Sequence, residues 1–209
     1  MTTLGRETAR GTAPGAVRII AGKHRGRRIA VPTTAAALRP TANRLRETLF
    51  NILSHGGWSE GGGSALVGAR VLDGFCGSGA LGLEALSRGA GHCTFADTDS
   101  AVLAAVRASL VSLHETGQAT VLRADLRAPP PTSAPCSLVL LDPPYGQGLA
   151  LVALAALAGR GWLAPAALAV IETEAAEAPT ALPSFQILDR RGQRASVLTF
   201  LRYQPRSHG

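Results

Sequence analysis

One stretch near the middle of the chain, residues 71–82 with the sequence VLDGFCGSGALG, restricts the possible folds more than any other. It predicts an apolar strand that leads into a glycine-rich loop. The helical pattern LEALSR follows at 83–88, and Gly89 ends it. Glycines between a strand and a helix let the backbone turn sharply and come close to a bound ligand. The stretch therefore predicts a strand–loop–helix unit at the ligand-binding edge of a mainly parallel α/β sheet.

The glycine loop alone leaves three interpretations open, namely a dinucleotide site, an S-adenosylmethionine site and a plain tight turn. Three acidic residues favour S-adenosylmethionine. Asp73 is placed to meet an ammonium group and would repel a pyrophosphate. Asp97 ends the next strand, about twenty residues past the first glycine, where an acid can accept from ribose hydroxyls. Asp125 follows the third strand and suits an adenine amine. The predicted cofactor contacts are Asp73, Phe75, Gly77, Ser78, Gly79, Gly82, Asp97 and Asp125.

A second motif, Asp142-Pro143-Pro144-Tyr145, follows the apolar run SLVLL at 137–141. The prolines hold φ near about −65° and lack N–H donors, so the Pro143 carbonyl becomes a fixed acceptor. This carbonyl and the Asp142 carboxylate can accept from an exocyclic amine while Tyr145 stacks on the ring that carries it. A proline-rich turn after a buried strand is the alternative. Together with the glycine loop, the motif predicts methyl transfer to a base amine, with residues 142–145 as the catalytic group.

Positive charge is concentrated at the amino-terminal end of the chain. Residues 1–60 carry the whole formal net charge of +7, and residues 61–209 are neutral overall. Short β-type runs at 17–21 and 27–31 flank the basic segment GKHRG, which predicts a hairpin with a basic tip, and Pro40 opens a helix. A solvated basic face is one interpretation, and contact with a nucleic-acid backbone is the other. The predicted RNA contacts are Lys23, Arg25, Arg27, Arg28, Arg39, Arg44 and Arg46.

Length and composition predict three segments: a flexible amino terminus at 1–16, a basic hairpin and helix at 17–60, and a methyltransferase domain at 61–209. No run approaches the ~18 apolar residues of a membrane span, and no secretory leader is visible, so we expect a cytoplasmic protein. The three cysteines form no C-x-x-C pair, and the five histidines have no metal-ligand spacing. We therefore expect buried free thiols and no metal.

Apolar runs and turn signals beyond residue 61 predict alternating strands and helices. Helices are expected at 100–113 and 149–158, and a fifth strand at 167–172. The last two strands, at 185–189 and 196–203, are expected to form an antiparallel pair, with residues 190–193 in the turn between them.

Four segments in this order make the chain resemble the RsmD family of bacterial methyltransferases: RIIAG through RGR at 18–27, LRPT through RLRETLFN at 38–51, residues 73–90, and residues 142–145. The resemblance covers residues 17–203. It implies a Rossmann-like class I fold with seven strands, S-adenosylmethionine as cofactor and a guanine N2 of 16S ribosomal RNA as target. It also implies a substrate within the 30S subunit or an assembly intermediate. We expect a monomer that binds neither metal nor membrane.

Three other functions stay open on the sequence. A nicotinamide-dependent oxidoreductase would use the glycine loop and Asp97 but would give the motif at 142–145 no role. A non-catalytic RNA-binding or ribosome-assembly protein could keep this fold, but it would be expected to lose Asp73 or Asp142. An adenine-N6 DNA methyltransferase shares the type of motif at 142–145, and only the family resemblance favours guanine in ribosomal RNA.

Overall fold

The computed structural model describes residues 17–31, 40–58, 62–193 and 196–205. Its strands are β1 (Arg70–Gly74), β2 (His92–Asp97), β3 (Ala119–Arg123), β4 (Cys136–Leu141), β5 (Leu163–Thr173), β6 (Phe185–Gln193) and β7 (Ser196–Tyr203). Its helices are α1 (Pro40–His55), α2 (Ala80–Ser87), α3 (Ser100–Leu113) and α4 (Leu149–Gly159).

The seven strands form one sheet in the order β3-β2-β1-β4-β5-β7-β6. Strands β1 to β5 pair in parallel, and β7 runs antiparallel to both β5 and β6. The predicted α/β class with a closing antiparallel pair is therefore confirmed. The turn predicted at residues 190–193 is wrong, because Arg190, Arg191 and Gly192 continue β6 and pair with β7. β6 is an edge strand, where charged side chains are well tolerated.

Both faces of the sheet are covered, which explains why the central strands β1, β2 and β4 are mostly buried and apolar. The first face packs against α1, α2 and α3, and the second packs against α4. Successive residues of β1 show the alternation: Val71 belongs to the first cluster and Leu72 to the second, and both are fully buried. The central strands β1 and β4 are therefore held between two layers of helices.

The amino-terminal hairpin is shorter than predicted and is docked on the main domain. A single antiparallel bridge joins Arg18 to Arg28, supported by a hydrogen bond of 3.0 Å from the Ile19 N–H to the Arg27 carbonyl. Apolar residues of the hairpin and of α1, including Ile19 and Phe50, share the core cluster formed with α2 and α3. Segment 17–58, where described, therefore packs as part of the same core.

Glu84 on α2 fastens the hairpin to this core. Its side chain is fully buried, and its two oxygens accept from the N–H groups of Ile20 at 2.7 Å and Ala21 at 3.0 Å. Arg88, one turn later, donates to the same carboxylate at 2.7 Å. A buried carboxylate is tolerated only when donors satisfy it in this way. The Glu84 carboxylate therefore holds the hairpin on α2 through donors that are themselves half-buried.

We expect Glu84→Ala to lower the free energy of unfolding by about 3–5 kcal/mol, because it leaves Arg88 and two backbone N–H groups without their acceptor. Urea denaturation measures the change. The exposed Glu47 on α1 provides a matched control, and Glu47→Ala should change stability by no more than about 0.5 kcal/mol. Equal stabilities for the two variants would contradict the anchoring role of Glu84.

The three cysteines are buried free thiols, as predicted. Within the described ranges, no group of three or more histidine, cysteine, aspartate or glutamate side chains is arranged to hold a metal ion. No helix in the same ranges has the length and apolar character needed to cross a membrane.

Candidate active site

An open cavity of about 600 Å³ lies at the carboxyl ends of the parallel strands. The loop that follows each of β1, β2, β3 and β4 contributes to its wall. The lining includes Phe75, Gly77, Asp97, Asp125, Arg127, Asp142, Pro143, Pro144 and Tyr145. Ligands of open α/β sheets bind at this edge. The structure therefore brings the whole motif at 142–145 together with four of the eight predicted cofactor contacts.

The first part of the cavity is built around Gly77 and Asp97. The Gly77 N–H donates to Asp97 Oδ2 at 3.1 Å, and the Asp99 N–H donates to Asp97 Oδ1 at 3.0 Å. Gly77 has φ +50°, and Phe75 before it has φ +57°, an uncommon value for a residue with a side chain. This backbone turn holds the Asp97 carboxylate at the cavity wall.

Asp73, a predicted cofactor contact, does not line the cavity. Its side chain is buried beneath the loop, outside the cavity lining, and accepts from the Gly82 N–H at 2.8 Å. Burial raises the pKa of this carboxyl well above its usual value, while the Gly82 N–H acts in the opposite direction. Asp73 satisfies a donor in the first turn of α2 and so holds the loop in place.

The later glycines of the loop, Gly79 and Gly82, allow close packing of α2. A Cβ atom at Gly82 would lie 2.4 Å from Phe95 Cε1 and 2.6 Å from Cys93 Sγ, so α2 could not approach β2 with any side chain there. Gly79 has φ +72°, and a Cβ there would meet Val106 at 3.0 Å. Neither glycine lines the cavity, nor does Ser78. Only Phe75 and Gly77 of the predicted loop contacts reach it.

Asp125 lies at the cavity wall, as expected, but it already has a partner. Arg127 donates to both of its oxygens, to Oδ2 at 2.6 Å from Nη2 and to Oδ1 at 3.0 Å from Nε. The hydrogen bonds from Arg127 lower the pKa of Asp125, and the pair is open to solvent. Arg127 was not predicted as a site residue. A ligand amine that binds Asp125 would either share the carboxylate with Arg127 or displace the Arg127 guanidinium from it.

The motif at 142–145 begins where β4 ends, and the Asp142 N–H donates to the Gly74 carbonyl of β1 at 3.4 Å. Pro143 is buried, whereas the Asp142 side chain reaches solvent through the cavity. The surrounding protein raises the pKa of Asp142 to about 7, with the nearby charge of Glu172 as the second cause. Asp142 is therefore a carboxylate whose ionisation changes near neutral pH.

Tyr145 is held by a residue that the sequence analysis missed. Its hydroxyl donates to Glu172 Oε1 at 2.7 Å, and the residue as a whole is 43% exposed and lines the cavity. Partial burial raises the pKa of Tyr145 to about 12, so the hydroxyl keeps its proton. Glu172 is the acidic residue near the end of β5, the same kind of position that identified Asp97 and Asp142, and this signal could have revealed it.

The predicted RNA contacts divide into exposed and structurally engaged residues. Arg25, Arg28 and Arg44 are exposed, and Arg39 lies outside the described residues. Lys23 pairs with Glu115 at 2.7 Å with its side chain 48% exposed, and the exposed Arg27 donates to the Ser112 carbonyl at 2.8 Å. Arg46, also predicted as an RNA contact, is buried and donates to the Arg18 carbonyl at 2.8 Å. It joins α1 to the hairpin.

The hairpin tip lies far from the cavity. The N–H of Lys23 donates to the Ser87 carbonyl at 2.8 Å, and the N–H of His24 donates to Ser87 Oγ at 3.0 Å. Ser87 is the last residue of α2, whose first turn begins at the cavity edge, and the eight-residue helix is about 12 Å long. The tip therefore lies towards the amino ends of the parallel strands, and only an extended partner could contact both regions.

Comparisons with known proteins give consistent matches along most of the chain. A family model described as Conserved hypothetical protein 95 matches residues 17–202. Ribosomal RNA small subunit methyltransferase D from Escherichia coli K12 is 37% identical over 196 residues, covering 93% of this chain and 93% of that protein. The protein of the same name from Haemophilus influenzae is 40% identical over 166 residues, covering 78% and 81%. The solved structure of Escherichia coli yhhF has a TM-score of 0.76 at 35% identity, covering 92% of this chain and 100% of that chain.

Proposed function

We propose, from the premise that the chain belongs to the Conserved hypothetical protein 95 family, that it transfers a methyl group from S-adenosylmethionine to the N2 amine of a guanine in 16S ribosomal RNA. One observation carries the proposal: Asp142, Pro143 and Tyr145 share a single cavity with Asp97 and Gly77. An amine-binding motif and a candidate cofactor site thus meet at the edge where α/β folds bind ligands. Relatives named ribosomal RNA small subunit methyltransferase D support ribosomal RNA as the substrate.

The residues of the cavity fit the cofactor. Asp97 offers a fixed carboxylate for ribose hydroxyls, and Asp125 offers one for an adenine amine. Phe75 and Leu126 supply apolar surface on the same wall. When bound, S-adenosylmethionine supplies an electrophilic methyl group on a sulfonium. Asp73 would contribute indirectly, by keeping the loop before α2 in the conformation that exposes Gly77.

The motif at 142–145 provides what a weakly nucleophilic amine requires. The lone pair of guanine N2 is delocalised into the ring, so hydrogen bonds that favour a more tetrahedral nitrogen assist transfer. The Asp142 carboxylate and the Pro143 carbonyl can accept the two amine hydrogens and stabilise the positive charge that develops on nitrogen. Tyr145 offers a ring on which a base that has left its stack can rest. Asp142 is also a candidate acceptor for the proton released.

We expect kcat/KM to rise about tenfold per pH unit below about 7 and then to level off, because only ionised Asp142 carries the negative charge that stabilises the developing positive charge on the amine and can take its proton. Burial raises the pKa of this carboxyl, so the protonated, inactive form predominates below that pH. A pH profile with a ribosomal RNA substrate measures the inflection. Asp73 and Tyr145 are the other titratable neighbours, besides Glu172. If Asp142→Ala keeps the same inflection in its residual activity, Asp142 is not the group that titrates.

The RNA partner would bind across two regions. We propose that Arg25, Arg28 and Arg44, all exposed, contact phosphates, while the cavity receives the target base. The resemblance to the RsmD family supports a substrate in the 30S subunit or an assembly intermediate. A structured RNA of this size could extend from the cavity to the hairpin at the opposite edge of the sheet.

Methyl incorporation tests the proposed function directly. The protein is incubated with S-adenosylmethionine carrying a labelled methyl group and with 16S ribosomal RNA or 30S particles from cells that lack the enzyme. We expect label in the RNA of at least one of these two substrates, and none when particles from wild-type cells, already methylated, are used. Absence of transfer to both substrates, with cofactor binding intact by calorimetry, would contradict the proposal.

A further inference from the structure

Two carboxylates lie side by side at the catalytic end of the sheet. β4 and β5 are parallel neighbours, and Leu141 pairs with Ile171. The next residues along the two strands are Asp142 and Glu172, so both side chains leave the sheet on the same face at adjacent positions. Glu172 contacts the motif itself, since it lines a small cleft together with Pro143, Pro144 and Tyr145.

Glu172 is held in one orientation by two hydroxyl groups. Tyr145 donates to its Oε1 at 2.7 Å, and Ser196 of β7 donates to the same atom at 2.6 Å. Within the described residues, no group donates a hydrogen bond to Glu172 Oε2. One oxygen of Glu172 thus fixes the side chain, and the other has no hydrogen-bond donor among the described residues.

The loop that carries Tyr145 is fixed by a second acid. Glu177 accepts from the Gly146 N–H at 3.2 Å and from the Gly148 N–H at 3.0 Å. Tyr145 is therefore restrained both through its hydroxyl and through the backbone that follows it. Because the loop is fixed independently of Glu172 Oε2, that oxygen is not needed to maintain the loop.

Placing two carboxylates together in a partly desolvated site is unfavourable. The charge of Glu172 contributes to the raised pKa of Asp142, after burial. A ligand with two adjacent N–H donors would relieve this repulsion, whereas a ligand with an acceptor next to its amine would add to it. The pair therefore selects for a particular pattern of donors.

Guanine alone among the four RNA bases has this pattern. Its N2 amine is next to the N1–H donor, whereas the amines of adenine and cytosine are next to an unprotonated ring nitrogen. We propose that Glu172 is a specificity-determining residue, which accepts from guanine N1–H while Asp142 accepts from the N2 amine. This inference rests on the proposed function and names the feature of the site that selects guanine over adenine.

The test compares guanine with 2-aminopurine at the methylated position of 16S ribosomal RNA. 2-Aminopurine keeps the amine at position 2, but its N1 is an acceptor. We expect the wild-type protein to methylate guanine about 10- to 100-fold faster in single turnover, the range for one hydrogen bond to a charged group. In Glu172→Gln the side-chain amide can donate to an unprotonated N1, so the ratio should fall to within about threefold.

Two control variants separate base recognition from support of the loop. Ser196→Ala removes one hydrogen bond to Glu172 Oε1 but keeps the carboxylate. Glu177→Gln removes a neighbouring carboxylate whose hydrogen-bond donors, among the described residues, are the backbone N–H groups of Gly146 and Gly148. Both can slow methylation, but both should keep the preference for guanine. Calorimetric titration of S-adenosylmethionine checks that each variant, including the shorter Glu172→Asp, still binds the cofactor.

The outcomes distinguish this inference from the proposed function. If Glu172→Gln and Glu172→Asp both keep the wild-type ratio while methylation slows, Glu172 only supports Tyr145 and the inference is overturned. If the wild-type protein methylates 2-aminopurine as fast as guanine, the inference is again overturned, while the proposed function stands. If the wild-type protein methylates no guanine, the proposed function itself fails.

Discussion

We expect Asp142→Ala to lower the single-turnover rate of methyl transfer by about 10²- to 10³-fold, the scale for losing one positioned polar partner in a site shielded from water. Affinity for S-adenosylmethionine should change by no more than a few-fold, because Asp142 would act on the base amine. The hydrogen bond between the candidate cofactor groups Gly77 and Asp97 does not involve Asp142, so we expect this variant to keep it. Rapid-quench kinetics with excess enzyme measure the rate, and calorimetry measures the affinity.

A matched control is Glu174, an exposed acid just after β5. Glu174→Ala removes a carboxylate from the same edge of the sheet and should leave the rate within about twofold, as expected for an exposed substitution away from bound groups. A near-normal rate for Asp142→Ala would remove this residue from the catalytic role. Equal losses in the two variants would indicate a general effect of charge instead.

The second large effect is expected from the exposed arginines of the hairpin. Changing both Arg25 and Arg28 to Glu should weaken binding to 16S ribosomal RNA at least tenfold. It should also reduce the log–log salt slope by about 1.4–1.8, the sum for two phosphate contacts. Filter binding at several salt concentrations measures both quantities. The melting temperature should stay nearly unchanged, because exposed charges contribute little to folding.

Arg160, exposed after α4, serves as the control for charge alone. Arg160→Glu should leave the salt slope close to that of the wild-type protein. If the double reversal at Arg25 and Arg28 also leaves the slope unchanged, these residues form a solvated basic face. In that case the hairpin has no role in RNA binding, and its role is structural: it packs on α2 through its hydrogen bonds to Glu84 and Ser87.

Most of the sheet could be predicted, because parallel strands buried on both faces leave a clear record of apolar runs. The end of β6 could not. In the sequence, the charged residues Arg190 and Arg191 are typical of a turn between two strands. Only their pairing with β7 shows that they continue an edge strand. Arg46 was predicted as an RNA contact from its charge, although its spacing from Leu49, Phe50 and Leu53 places it on the buried face of α1. Charge was given more weight than periodicity.

The sequence located the site residues whose position follows from residue type at a strand end. It did not show in which direction a side chain points, because that depends on the folded backbone. The motif at 142–145 and Asp97 lie at the cavity because both follow directly from strand ends. Asp73 also lies near a strand end, but the positive φ of Phe75 turns the loop over it, and its carboxylate points to the Gly82 N–H instead. Glu172 depends on the pairing of β4 with β5, which is a property of the folded sheet.

The central claim is tested most directly by identifying the methylated atom. 16S ribosomal RNA from cells that lack the enzyme is treated with the purified protein and S-adenosylmethionine, then digested to nucleosides and fragments for mass spectrometry. We expect a single new N2-methylguanosine at one position of the 16S molecule, and none with Asp142→Ala in the same time. A methyl group on adenine N6, or transfer to no nucleotide of the RNA, would contradict the account.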